Sequence, residues 1–180
     1  MASGRTPGAA AVHFLGSFNN LASLLAVPVF LAGLSARPGW LAAFRRPWVL
    51  AAMAGAATLT IALYALVLHQ LWQAHGLALL ADILLHLVLP ILLIVWFVGF
   101  NRSGTLTYAD LPLMLLPSVL YIFYVLARAQ QTGDYPYPFA NVAAMGPAQV
   151  VINMTALLVV QTVLNAIAVA IDKSTLASKI

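Results

Sequence analysis

Apolar residues run along this chain in five long blocks, and the polar positions fall almost entirely between them. The blocks cover about 13–34, 47–69, 77–100, 110–130 and 146–171. Each is close to the ~20 residues a helix needs to cross the hydrocarbon core of a bilayer. The pattern predicts an all-α integral membrane helical bundle of about five transmembrane helices, built as a single transmembrane domain over residues 1–180.

The punctuation between and within the blocks refines this. The first block opens on a polar cluster, Ser17-Phe18-Asn19-Asn20, and ends in a Gly/Pro turn over 35–40. The second starts with Pro47, suited to a first helical position. It carries Ala51-x-x-x-Gly55, a spacing of small residues that lets two helix backbones approach closely. The third is the most hydrophobic, yet contains Asp82, His86 and Pro90. A Ser/Gly/Thr-rich loop over 101–109 leads to the fourth, where Pro112 and Pro117 are expected to kink or reset the helix. Residues 132–145 read as a true loop centred on Asp134-Tyr135-Pro136-Tyr137-Pro138-Phe139. No repeat, low-complexity tract or linker interrupts the pattern.

Composition supports lipid as the solvent. The 180 residues are 63% hydrophobic and 7% charged, against roughly a quarter charged in soluble domains. With no cysteine, disulfides, thiol nucleophiles and thiolate-bound metals are excluded. The first ten residues are small and polar, with no small-residue cleavage site behind a short apolar core. The first helix is therefore expected to act as its own signal anchor.

A net charge of +4 reads as a topology signal, not a nucleic-acid footprint, because the cations sit between apolar blocks. With the N-terminus outside and the C-terminus cytoplasmic, the inner side receives Arg37, Arg45, Arg46, Arg102, Lys173 and Lys179, and the outer side only Arg5 and Arg128. That bias predicts a multi-pass protein of the cell (inner) membrane, oriented N-out and C-in.

In this topology the polar residues converge at the outer half. Asn19 and Asn20 lie just inside the first helix, and His69 caps the second. Asp82 and His86, four residues apart, share one face of the third. Tyr121, Tyr124 and Arg128 lie in the outer half of the fourth helix, and Asn153 and Thr155 near the start of the fifth. The aromatic-proline loop Tyr135, Pro136, Tyr137, Pro138 and Phe139 closes over the same end, as a lid packed into the bundle mouth. Gln161 and Asn165 are the notable polar residues of the inner half.

Each of these has a plain structural reading. Asp82 and His86 can be an internal pair that fixes helix packing, although an ionisable residue at membrane depth is functional by default. Asn19, Asn20 and Asn153 can be interhelical glue. Thr58 and Thr60 are expected to bond their own helix carbonyls. His69 and Trp72 suit an interface, and His13 and His75 suit solvent. His69 and His86 differ in depth, which disfavours a bis-His haem but leaves open a single-His haem or pigment site. Asp82 and His86 alone are too few for a metal, so no cofactor and no metal is predicted.

Leu85-His86-Leu87-Val88-Leu89-Pro90, then Tyr135-Pro136-Tyr137-Pro138-Phe139, then Gly146-Pro147 ahead of Asn153, resemble one family. It comprises the androgen-induced protein, the androgen-dependent TFPI-regulating protein and bacterial membrane relatives, and the resemblance runs from about Phe18 to Asp172. It implies intramembrane threonine hydrolases of fatty acid esters of hydroxy fatty acids, using a Thr nucleophile and a His base. The family His corresponds to His86. The family Thr falls within Ser17-Phe18-Asn19-Asn20-Leu21, where this sequence has Asn, so the nucleophile is open: Ser17, Ser23 or a water. The family is also described with six helices, and the one before the Asn cluster has no counterpart here.

Two functions follow as expectations. One is a hydrolase-like membrane protein binding a lipid-like molecule in an outward-facing pocket, with His86 as general base oriented by Asp82 and Asn19, Asn20, Tyr124, the lid and Asn153 around the ligand. The alternative is a non-catalytic accessory subunit of a larger membrane complex, pigment- or quinone-associated. Membrane lipids and membrane-protein partners are expected in either case, and nucleic acid in neither.

Overall fold

The computed structural model describes residues 6–35, 39–68 and 75–177. The expectations placed on Arg5, Arg37, His69, Trp72 and Lys179 lie outside the described residues. All regular structure among the described residues is helical. Helix α1 (Pro7–Leu15) leads into α2 (Phe18–Leu34), and a 3₁₀ segment (Trp40–Arg45) precedes α3 (Pro47–Leu63), which continues into a π-helical turn (Tyr64–Leu68). Helix α4 (Leu77–Phe100) is widened in its middle by a second π turn (Leu84–Val88). Helix α5 (Leu111–Thr132) and a lid containing the short helical turns Pro138–Ala140 and Val142–Met145 lead to α6 (Pro147–Ala177).

Four segments are long and apolar enough to cross a membrane: Pro47–Val67, Leu77–Phe100, Tyr108–Thr132 and Pro147–Ser174. The expected first span over 13–34 is divided instead. The backbone leaves the helix at Gly16–Ser17, and Ser17 takes the extended conformation of an N-cap. Gly16 packs closely against Arg128: a Cβ there would stand 2.9 Å from the guanidinium. What remains is α2, of 17 residues, about 25 Å long and at the lower limit for a span.

Helix α3 is the axis of the bundle. Its apolar window is 61% buried, against 17% for α4, 17% for α5 and 28% for α6. The reason lies in its sequence: Ala51, Ala52, Ala54, Gly55, Ala56 and Ala57 are all buried, and side chains this small let α2, α4, α5 and α6 pack around one helix. Gly55 meets the amides of Asn165 and Gln161 on α6, so the expected small-residue contact is realised against a polar partner. Gly33 of α2 plays the same part toward the Trp96 ring of α4.

The two prolines expected to reset the fourth helix do not break it. Pro112 occupies its first turn, where no amide bond is lost. The helix runs on through Pro117 to Gly133, whose φ of +69° ends it with a bond from its N–H to Ala129 O at 2.8 Å.

The two ends of the bundle differ in chemistry. At one end stand Arg45, Arg46, Arg102 and Lys173. There the buried Asp172 carboxylate of α6 accepts the amides of Ser103 at 2.7 Å and Leu106 at 3.0 Å, which fixes the 101–107 loop. The other end carries the lid.

Candidate functional site

The site is organised by a local consequence of Pro90. Proline has no N–H to offer the carbonyl four residues back, that of His86, and its ring crowds that carbonyl. The preceding turn widens to π geometry, with the Leu89 amide reaching Leu84 O. A second π turn begins at Tyr64 on the facing helix. Single π turns of this kind recur at functional sites.

Between the two π turns lies a connected polar group. Asp82 Oδ1 stands 3.0 Å from His86 Nδ1, and its Oδ2 accepts the Tyr64 hydroxyl at 2.6 Å. The Tyr64 ring stacks on the imidazole with centroids 4.8 Å apart and planes 17° from parallel. The carboxylate fixes the imidazole by one nitrogen and the tyrosine fixes its plane. The stacking the sequence spacing predicted for Asp82 and His86 is therefore a direct contact, with Tyr64 as an unforeseen third member. One imidazole and one carboxylate fall short of the three protein ligands of an open zinc site, and among the described residues no third metal-binding side chain joins them.

His86 lines a partly open, largely apolar cavity of about 60 Å³, room for a few water-sized groups. Its polar wall consists of Asn19 from α2, Thr60 from α3, Ser118 from α5 and Gln161 from α6. Thr58 bonds Ala54 O at 2.9 Å, as expected. The Thr60 hydroxyl shows no such bond among the described residues, and Thr60 lines the cavity. Thr60 lies one turn before Tyr64 on the face that packs against α4. Gln161, read from sequence as an inner-half residue, also reaches this cavity.

The lid forms part of the cavity wall. Tyr137 and Phe139 line it, stacked on each other with centroids 5.0 Å apart. The Tyr137 hydroxyl accepts the Phe18 amide at 3.1 Å and bonds Ser17 Oγ at 3.2 Å. The Asn153 amide donates to Phe139 O at 2.9 Å. Farther out, Asp134 takes Arg128 Nη2 at 2.8 Å and His13 Nδ1 at 3.0 Å on one oxygen. Hydrogen bonds from His13 and Arg128 hold its carboxyl below the usual carboxylate range. His13, expected to be merely solvated, thus ties α1 to the lid.

The sequence-predicted residues separate accordingly. His86, Asn19, Tyr137 and Phe139 meet at the cavity, and Asp82 stands behind His86. Asn20 does not join them: its amide is committed to Phe14 O at 2.8 Å, capping α1. Asn153 anchors the lid from outside the cavity, and Tyr135, Pro136 and Pro138 shape its outer turn. Ser17 sits at the rim on Tyr137, and Ser23 reaches neither space.

Tyr124 belongs to a second space, an apolar groove of about 490 Å³ between α2, α3 and α5. Phe18, Ser118 and Tyr121 line both groove and cavity. The Phe18 and Tyr121 rings meet edge to face, 5.1 Å apart, as the partition between them. Tyr121 is held there by its hydroxyl, which donates to Gly16 O at 2.7 Å.

No family model, no curated protein and no solved structure matches this chain.

Proposed function

We propose that this multi-pass membrane protein binds one lipid-like amphiphile, its chain in the groove between α2 and α5 and its polar head in the cavity at His86. The observation that carries the reading is the shared wall of Phe18, Ser118 and Tyr121 between an apolar groove and the cavity bordered by His86, Asn19 and Gln161. The groove volume falls within the range of small-molecule sites. Its walls are the side chains a bilayer would bathe, so a lipid enters sideways without crossing water. The oriented imidazole supports the finer reading, hydrolysis of a lipid ester inside the membrane, in keeping with the resemblance at His86 and the Tyr-Pro lid.

Asp82 on Nδ1 leaves Nε2 as the basic nitrogen, the arrangement a general base needs. Thr60 and Ser118 are the aliphatic hydroxyls that line the cavity with His86. Thr60 is taken as the nucleophile because it lies one turn from Tyr64, the ring stacked on His86, whereas Ser17 is engaged by Tyr137. In this reading His86 accepts the Thr60 proton as the hydroxyl oxygen attacks the ester carbonyl, and passes it to the departing alcohol. His86 then takes a proton from water, which attacks the acyl-threonine, releases the fatty acid and restores the Thr60 hydroxyl. The cavity end is taken as external, with the cationic end in the cytoplasm.

Extraction of the purified protein followed by lipid mass spectrometry, with ester turnover measured in parallel, tests both levels. Stoichiometric lipid lost on Ser118→Trp is the expected result for binding. Hydrolysis reduced roughly 10²–10⁴-fold in His86→Ala is expected for a general base, with Thr60→Val equally inactive. Lipid without turnover leaves a binding protein. Neither lipid nor turnover, with foreign chains copurifying in fixed ratio, would establish the accessory-subunit reading in its place.

A further inference from the structure

We infer that the head group held at His86 is uncharged and carries both a hydrogen-bond donor and an acceptor, as a hydroxyl or a primary carboxamide does. The inference rests on the lipid-binding reading above, not on ester hydrolysis, and makes the resident ligand a lipid alcohol or amide and not an ester substrate. Two cavity-lining side chains carry it. Asn19 is 4% exposed and Gln161 1% exposed, and among the described residues neither Asn19 Nδ2 nor Gln161 Oε1 has a partner. The other arm of Gln161 is fixed, its Nε2 donating to Asn165 Oδ1 at 3.0 Å against Gly55.

A buried polar atom left unbonded is destabilising by about 1–3 kcal/mol, and such atoms are uncommon in folded proteins. Asn19 on α2 and Gln161 on α6, the side chains that carry this donor and this acceptor, both line the same cavity. A group that accepts from Asn19 and donates to Gln161 satisfies the two together. An ester or ketone, an acceptor only, leaves Gln161 unsatisfied.

Charge narrows the class further. Among the described residues no Lys, Arg, Asp or Glu lines the cavity. Its one ionisable lining group beside the tyrosines, His86, is already paired with Asp82. Arg128, the nearest cation of the lid end, is engaged by Asp134. A carboxylate or phosphate would enter an apolar space with no free counter-charge, at a large desolvation cost. The cavity volume also favours a head of a few heavy atoms.

The test uses the full chain in detergent micelles and one alkyl length, so that only the head varies. A photoactivatable hexadecanol analogue is cross-linked to the protein and mapped, then competed with hexadecanol, palmitamide, methyl palmitate, palmitate and palmitoyl lysophosphatidylcholine. Hexadecanol and palmitamide are expected to compete about tenfold more strongly than methyl palmitate, the equivalent of one hydrogen bond. Palmitate is expected to be weak at neutral pH and to gain as pH falls and it protonates, while hexadecanol does not change. Asn19→Leu and Gln161→Leu, singly, should each narrow the preference over methyl palmitate. Because the head-group ranking is read on wild type, it stands even if a variant misfolds. Cross-links on α2 and α5 with equal competition by all heads, or with the anionic heads preferred, would overturn this inference and leave lipid binding intact. No cross-link to the groove or cavity with any head would instead remove the binding reading itself.

Discussion

Asp82 and His86 touch across one turn of α4, Oδ1 to Nδ1 at 3.0 Å, while the second oxygen of the same carboxylate takes the Tyr64 hydroxyl from α3. The contact thus joins two helices through one carboxylate. Asp82→Asn or His86→Leu alone is expected to destabilise the bundle by roughly 0.6–2 kcal/mol, the span of polar contacts between membrane helices. The double variant should lose less than the sum. Unfolding in mixed micelles provides the cycle, and additive losses would mean that the two side chains act on separate partners.

This pair was legible in the sequence because an i,i+4 spacing on a helix fixes which side chains meet, whatever the tertiary context. The all-helical bundle was legible for a similar reason, since apolar length dictates it. Thr60 and Gln161 were not legible as neighbours of His86. Their convergence depends on the rotation of α3 and α6 about their own axes, and a helix that is apolar all round carries no periodic signal for its facing. The break at Gly16 is packed against Arg128, more than a hundred positions away, a contact no local pattern encodes. Asn20 misled for a local reason: the same break gave it the α1 carbonyl of Phe14 to cap.

Gly55 faces the carboxamides of Asn165 and Gln161 with no room for a methyl group. Gly55→Ala therefore separates α3 from α6 or drives Asn165 from its rotamer, with an expected loss of about 1–3 kcal/mol. Asn165→Ala in the same chain should recover part of it, because the obstructing atoms are then gone. A Gly55→Ala protein as stable as wild type would show that α6 is not seated on this residue.

At the opposite end, Asp172 is fully buried and satisfies two backbone amides of the 101–107 loop. Asp172→Ala leaves those amides without their acceptor, about 1–3 kcal/mol for each left buried. Hydrogen exchange should accelerate at Ser103 and Leu106 before any change appears in the lid. Exchange rising equally in both places would indicate global loosening of the bundle.

Orientation is set by the end that bears Arg45, Arg46, Arg102 and Lys173, which should face the cytoplasm. A reporter fused after Ile180 is expected to read as cytoplasmic, and one inserted in the 132–145 lid as external. The reverse result would place the cavity mouth on the cytoplasmic side and change the membrane leaflet from which a lipid arrives.

The lid itself should respond to acid through Asp134. His13 and Arg128 bond one oxygen of this carboxylate and stabilise its ionised form, so its folded pKa lies below the ~3.9 of a free aspartate. A lowered pKa means that the folded lid binds the proton less readily than the unfolded chain does. The contribution of these bonds is therefore full above about pH 4–5 and disappears as pH falls through the lower folded value. Across the neutral range Asp134 should add no pH dependence of its own to lid closure. Hydrogen exchange over residues 132–141 is expected to be protected at pH 6 and to lose protection near pH 3, earlier than the α3 core. In Asp134→Asn the acid step should be absent and the lid should open more often at every pH, since an amide oxygen is a weaker partner for the guanidinium. Arg128 is 8% exposed, so its substitution would leave a void against Gly16 and mix packing with charge. Asp134→Asn isolates the charge. An acid step that persists unchanged in that variant would assign the response to another group and sever the lid from this carboxylate.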